Sequence, residues 1–413
     1  MTGPEAERWL LSLELFGMRF GLDRMRRLMT ALGHPERAFE SIHVVGTNGK
    51  SSTTRMISSI LAHHGLRTGA YLSPHLVSFG ERIRIGDNDL TPAEFGAAVD
   101  RARHAAELVE RGLEPDDQVT QFEALTAAAY SELARREVEV AVIEAGLGGR
   151  YDATNVIPSK VQVLTSVGLE HTRWLGPTLH DIAGEKLDVV QPGATLVLGA
   201  GLDPEVIEVA ERVAGERGTR IVRAGTDPGV PVGAPGAFQR RNFALAEAAA
   251  EAYLGALAPE AVTAAAAQVR VPGRLQQIDS DPLTLVDGAH NPDGMRALAE
   301  SLPEFVAHHD RVIAVVSVLD DKDAAGMLAA LMPACDALVF TTTHNPRTLP
   351  PPTLQSLARQ LMGPPTEVVA DAREALARGR ELAGPGGVVI ATGSLYLIAD
   401  LLASGPREHA SSL

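Results

Sequence analysis

The chain has 413 residues, 45% hydrophobic and 22% charged, which exceeds one ordinary domain and fits a packed two-domain enzyme. Its net charge of −15 disfavours nucleic acid and anionic membrane as partners and requires local cations or metal for any anionic substrate. One cysteine (Cys335), no apolar run near the roughly 18 residues of a membrane span, and no basic-then-apolar leader at the N-terminus lead us to expect a cytoplasmic protein without disulfides.

In chain order, Ile42–Val45 reads as a buried strand. Gly46 and Gly49 then permit a tight turn, and Met56, Ile57, Ile60 and Leu61 set a helical spacing directly after it. Ala70–Leu72, Val138–Ile143 and Lys160–Val167 read as further strands. Thr91–Glu110 reads as a helix, its T-P-A-E start supplying a cap, a proline at the first turn and a capping-box glutamate; Thr120–Arg136 is a second. Gly225–Gly236 is rich in Gly and Pro and reads as a surface loop of the first domain, and Ala-rich 243–268 as two helices. The pattern pauses near Asp279–Pro282. Strands then follow near Leu283–Val286, Val312–Val318, Ala337–Thr341, Thr366–Val369 and Val388–Ala391, with helices between. This βαβ rhythm predicts an α/β fold. A doubly wound, mostly parallel sheet domain (residues 1–275) precedes a smaller Rossmann-like α/β domain (276–413), and the last eight residues read as disordered.

The stretch H-V-V-G-T-N-G-K-S-S-T (His43–Thr53) joins a strand to a helix through a glycine turn followed by Lys50 and three hydroxyls. Backbone N–H groups and a helix N-terminus there would face phosphates, with Lys50 on the outer ones. Val44 stands where the first glycine of the common phosphate-loop pattern falls, and a βα turn without nucleotide is the alternative. Glu144 ends a strand beside a glycine-rich turn, where α/β sheets bind ligands. It suits Mg²⁺ or is a solvated strand-end carboxylate. His171 is a metal or phosphate candidate or a structural loop histidine, and Lys186 reads by default as a solvated helix lysine. In D-G-A-H-N-P (Asp287–Pro292), Asp287 suits a ribose hydroxyl and His290 a phosphate or reacting group; an Asx-type turn capping the next helix is the alternative.

These segments occur in one order: G-L-D-R (Gly21–Arg24), G-T-N-G-K, S-P-H-L (Ser73–Leu76) with E-R-I-R-I, T-Q-F-E-A-L-T (Thr120–Thr126), and E-A-G-L-G-G-R-Y-D-A-T-N (Glu144–Asn155). G-L-E-H-T…I-A-G-E-K, R-R-N (Arg240–Asn242), P-G-R (Pro272–Arg274), D-G-A-H-N-P and T-G-S-L-Y-L (Thr392–Leu397) complete it. The chain therefore resembles the folylpolyglutamate synthase/dihydrofolate synthase family of the Mur ligase superfamily, and the fold is expected to be of Mur ligase type. The ATP motifs alone select only the superfamily; S-P-H-L…E-R-I, T-Q-F-E and G-L-D-R select the folate branch.

The resemblance implies roles for these positions. Asn48, Gly49, Lys50, Ser51 and Ser52 would hold the ATP phosphates. Asn242, Arg274 and Asp287 would contact ATP, with His290 on the γ-phosphate side. Ser73, Glu144 and His171 would bind Mg²⁺, and Lys186 would be carbamylated and help fix a second ion. Gly21, Leu22, Asp23, Arg24, Thr120, Gln121, Phe122, Glu123, Tyr151, Asp152 and Ala153 would form the pterin site. Lys50, Lys186 and His290 would serve the chemistry. Two positions depart from the family pattern. Ser51 replaces a glycine, leaving open whether Ser51 or Ser52 faces the metal–phosphate group, and Glu170 replaces an aspartate, from which tuning is expected. The implied substrates are ATP, L-glutamate, dihydropteroate and tetrahydrofolate, taken by a monomer through an acyl phosphate. A folylpolyglutamate synthase without the first activity, another Mur-type amino-acid ligase, and a nucleotide-binding protein without catalysis are the rivals.

Overall fold

The structure is a computed structural model describing residues 1–14, 21–114, 116–306 and 311–403; the eight C-terminal residues read as disordered lie outside these. The described residues form two compact units, those within Met1–Gly233 and Arg241–Val269, and those within Ala234–Arg240 and 270–403. This division falls shortly before residue 275, and the end of the Gly/Pro-rich stretch goes with the second unit. Among the described residues no helix is long and apolar enough to cross a membrane.

The first unit is built on β1 (Glu40–Val45), β2 (Thr68–Tyr71), β3 (Ile83–Ile85), β4 (Asn88–Asp89), β5 (Val140–Glu144), β6 (Val161–Leu164), β7 (Thr195–Leu198) and β8 (Arg220–Arg223). They lie in the order β4-β3-β2-β5-β1-β6-β7-β8. Six of them run parallel, and β3 and β4 are added antiparallel at one edge. β5 and β6 are buried along their whole length and β1 from its second residue on, as apolar runs covered by helices on both faces must be. From β1 the chain winds to β2 on one side and, later, to β6, β7 and β8 on the other. The carboxyl end of β1 is therefore the switch point at which open α/β sheets hold ligands.

Helices Pro92–Glu110 and Gln121–Arg135 both open with the expected capping box, Thr91/Glu94 and Thr120/Glu123. Their buried faces join Tyr71, Ile143 and the N-terminal helices in one cluster, and helices Leu179–Leu187 and Pro204–Arg217 cover β6 and β7 in another. Each large side chain sealed there stabilises the fold by about 1.5–3 kcal/mol.

The second unit carries β9 (Gln276–Ser280), β10 (Leu283–Val286), β11 (Val312–Val316), β12 (Ala337–Phe340), β13 (Thr366–Val368) and β14 (Val388–Thr392), ordered β13-β12-β11-β14-β10-β9. All pairs are parallel except β9 against β10. Where the sequence shows only a pause, the structure has the edge strand β9. Its Q-Q-I-D-S residues are half-buried or exposed on both faces, so it carries no period-2 apolar signal.

Candidate active site

β1 ends in the predicted glycine turn. Gly46 has φ +150°, and a Cβ on it would sit 1.9 Å from Thr165 Oγ1; Gly49 has φ +85°, and its Cβ would sit 2.7 Å from Asn242 Oδ1. Only glycine fits these two positions. The loop after β6 braces the turn: Thr165 Oγ1 donates to Asn48 O (2.7 Å), Asn48 N to Ser166 Oγ (2.9 Å), and Gly168 N to Thr47 Oγ1 (3.0 Å). Helix Lys50–His63 starts at once with Gly49 as its cap, which leaves its first N–H groups and positive dipole end directed at the turn. Lys50 Nζ donates to Thr47 O at 3.1 Å. Thr165 and Ser166 were missed in the sequence; polar residues at the end of an apolar parallel strand were the available signal.

Glu144, at the end of β5, is 1% exposed, which excludes the solvated reading. Ser51 Oγ donates to its Oε1 (2.9 Å) and Ser73 N to its Oε2 (3.0 Å). Ser51 thus stands on the carboxylate, while Ser52 is buried. Lys186 is likewise buried, at 4% exposure, and Nζ donates to Gly46 O at 2.9 Å, in the glycine turn. The default surface reading of this lysine is overturned. Burial, then the charge of Lys50, pulls its pKa down to about 7, because the charged form has lost its water. The G-L-G-G-R turn packs on the end of the same helix, with Arg150 N donating to Glu185 O at 3.0 Å. His171 is exposed on the loop after β6, with a left-handed backbone (φ 54°) and Nε2 4.0 Å from Glu170 Oε1.

The residues assigned to the pterin site separate into two kinds. Arg24, Thr120, Gln121 and Glu123 are buried and already engaged. Arg24 Nε donates to Glu123 Oε2 and Nη1 to Asp117 Oδ1, both at 3.1 Å; Thr120 and Glu123 form the helix cap; Gln121 Nε2 donates to Leu10 O at 2.9 Å. Leu22 and Ala153 are core residues, and Asp152 is sealed, accepting from Leu147 N (2.8 Å), Thr154 N (3.0 Å) and Thr154 Oγ1. Burial raises its pKa while those bonds oppose the rise. Gly21 has φ +137°, and Asp23 is exposed beside Arg26. By contrast Phe122 is only partly buried. A Cβ on Gly146 would lie 2.6 Å from its ring, whose centroid is 6.0 Å from that of Tyr71. Tyr151 is 43% exposed. These two aromatics retain open surface.

In the second unit, Asp287 directly follows β10 and is buried. Its Oδ1 accepts from Ala289 N (2.8 Å) and Oδ2 from Leu275 N (2.9 Å), so an Asx-type turn is present. Burial raises its pKa and the charge of Arg274 opposes this. His290 Nδ1 lies 2.8 Å from Gly288 O, and Asn291 caps helix Pro292–Ser301. The T-G-S-L-Y-L turn meets this loop through Gly393 N, which donates to Ala289 O at 3.0 Å.

A family model described as the Mur ligase glutamate ligase domain matches residues 273–395. The Mycobacterium tuberculosis dihydrofolate synthase/folylpolyglutamate synthase is 36% identical over 384 residues, covering 83% of this chain and 78% of that protein. The chain belongs to the dihydrofolate synthase/folylpolyglutamate synthase family. The structure of M. tuberculosis folylpolyglutamate synthase complexed with ADP and AMPPCP matches at TM-score 0.88 and 32% identity, covering 98% of this chain and 99% of the other. That of the bifunctional Yersinia pestis enzyme complexed with AMPPNP and Mn ion matches at TM-score 0.83 and 30% identity, covering 97% of each. As a member of this family the chain has the two-domain α/β architecture of Mur ligases.

The donor set suits a divalent ion bound together with nucleotide. Among the described residues no three His, Cys, Asp or Glu side chains lie together as a ready cage. Magnesium is ordinarily held by one or two carboxylates, with phosphate oxygens and water completing its shell. Glu144, fixed by Ser51 and Ser73 beside the phosphate turn, meets that requirement.

Proposed function

We propose that the chain is an ATP-dependent ligase joining L-glutamate by an amide bond to dihydropteroate and to the glutamate tail of reduced folates. The observation that carries this reading is the constellation at the carboxyl end of β1: a braced glycine turn, Lys50, the buried Glu144 held by Ser51 and Ser73, and a buried Lys186 bonded to Gly46 O. Phe122, seated against Gly146 and Tyr71, offers the flat apolar surface that a pterin ring needs.

The substrate carboxylate attacks the γ-phosphorus of ATP, forming an acyl phosphate and releasing ADP. The amine of glutamate then attacks the acyl carbon, phosphate departs, and the amine loses a proton. Both steps depend chiefly on positioning and charge. The turn N–H groups and Lys50 would hold the phosphates, and Arg274, Asp287, His290 and Asn242 are assigned to nucleotide from their motifs. Glu144, Ser73 and His171 would hold Mg²⁺, which when bound would neutralise charge on the transferring phosphate. Lys186 has the environment that carbamylation needs. A neutral amine adds to CO₂, forming an N-carboxylate and releasing one proton, and a pKa near 7 keeps much of the amine neutral. The product is an anion that would help fix a second ion.

The test is phosphate release under full and partial substrate sets. The account expects release only when ATP, glutamate and a pteroate or folate acceptor are all present. Release that ignores the acceptor would remove the folate reading.

A further inference from the structure

The E-R pair of the E-R-I motif lies outside every role assigned so far. Glu81 is the third residue of the short helix Phe79–Arg82, and its carboxylate gathers three consecutive backbone donors. Oε2 accepts from Leu76 N, and Oε1 from Val77 N and Ser78 N, each at 2.8 Å. Three N–H bonds from adjacent residues fix the path of the loop that follows Ser73. The neighbouring Arg82 is fully buried (0%). Its Nε donates to His75 Nδ1 at 3.0 Å and its Nη1 to Ser73 Oγ at 3.4 Å, and its guanidinium lies 5.6 Å from the Phe79 ring centroid.

A guanidinium only donates, so His75 Nδ1 is an acceptor and the ring proton sits on Nε2. By the same logic Arg82 occupies a lone pair of Ser73 Oγ, which restricts where the rest of that hydroxyl can point. Ser73 N, meanwhile, donates to Glu144. One residue pair therefore sets the backbone of this loop and the side chain at its start. Placing a guanidinium wholly out of water is costly unless it is well partnered, which favours a specific task over general packing.

We propose that Glu81 and Arg82 are positioning residues that aim Ser73 at the metal–phosphate group. The proposal rests on the assignment of Ser73 to the metal. Removing a partner behind a metal-binding group weakens metal binding by about 10–100-fold, so Arg82→Met should weaken Mn²⁺ binding to the ADP-loaded chain, read by electron paramagnetic resonance, at least about tenfold and raise the Mg²⁺ concentration for half-activation in step. The Michaelis constant for the pteroate acceptor should hold steady. Arg82→Lys keeps the charge and one donor and should recover part of the loss, and it remains readable if Arg82→Met does not fold. Glu81→Gln should shift Mg²⁺ dependence in the same direction.

Coupling to Ser73 is tested by a double-mutant cycle. Arg82→Met in a Ser73→Ala background should add little to the effect of Ser73→Ala alone. A normal Mg²⁺ requirement in Arg82→Met, or full additivity with Ser73→Ala, overturns the positioning role while the metal assignment stands. A normal Mg²⁺ requirement in Ser73→Ala removes the metal assignment itself, and the positioning role with it.

Discussion

Lys186 shows best how burial changes the titration of a common residue. Its pKa falls from 10.5 to about 7 on folding, so between these values the unfolded chain carries a proton that the folded chain lacks. The free amine therefore penalises the folded state fully below about pH 7, and the penalty disappears as pH rises towards 10.5. In CO₂-depleted buffer, Lys186→Met should raise the melting temperature over wild type more near about pH 6 than near about pH 9. An equal gain at both would contradict the depressed pKa. Lys186→Ala should lose most turnover without recovery on adding bicarbonate, whereas CO₂-depleted wild type should recover; wild-type turnover in the alanine variant would sink the carbamate. Glu144→Gln keeps the shape of a side chain that is 1% exposed and removes its charge, so the Mg²⁺ requirement should rise by more than the about 10–100-fold that a partner behind a metal ligand is worth. His171→Ala should move it in the same direction with the fold intact. Unchanged activity at limiting Mg²⁺ would count against either assignment.

At the level of elements, the two capping boxes supply a matched comparison. Thr91→Ala and Thr120→Ala each remove a helix cap and should each cost about 1 kcal/mol of stability. Only Thr120→Ala should also raise the Michaelis constant for the pteroate acceptor, because its helix carries Phe122; equal kinetics in the two variants would reduce T-Q-F-E to a cap. Phe122→Ala should weaken pteroate binding far more than ATP binding. These helices were legible because a cap, a capping-box glutamate and an apolar face all point the same way. The core strands β1, β5, β6, β10, β11, β12 and β14 were legible as apolar runs. The polar edge strand β9 was not, and neither was the Thr165–Gly168 brace, whose bonds join residues far apart in sequence with no shared periodicity. Sequence also could not tell that Arg24 and Glu123 meet each other in a buried ion pair, or that Asp152 is sealed. Motif membership named these residues, and only packing shows that several of them are already engaged with one another.

For the whole molecule, the Gly46–Gly49 turn, Lys50, Glu144 and Lys186 belong to the first unit, and Arg274, Asp287 and His290 to the second. Substrate choice is the central claim: one pterin pocket should serve both a bare pteroate and a folate already bearing glutamate. The most direct measurement incubates the chain with ATP, Mg²⁺ and L-glutamate, together with dihydropteroate or tetrahydrofolate, and identifies the products by mass spectrometry. The account predicts one added glutamate on dihydropteroate and one or more on tetrahydrofolate. Product from tetrahydrofolate alone would contradict the dual activity, and product from neither would contradict the folate assignment.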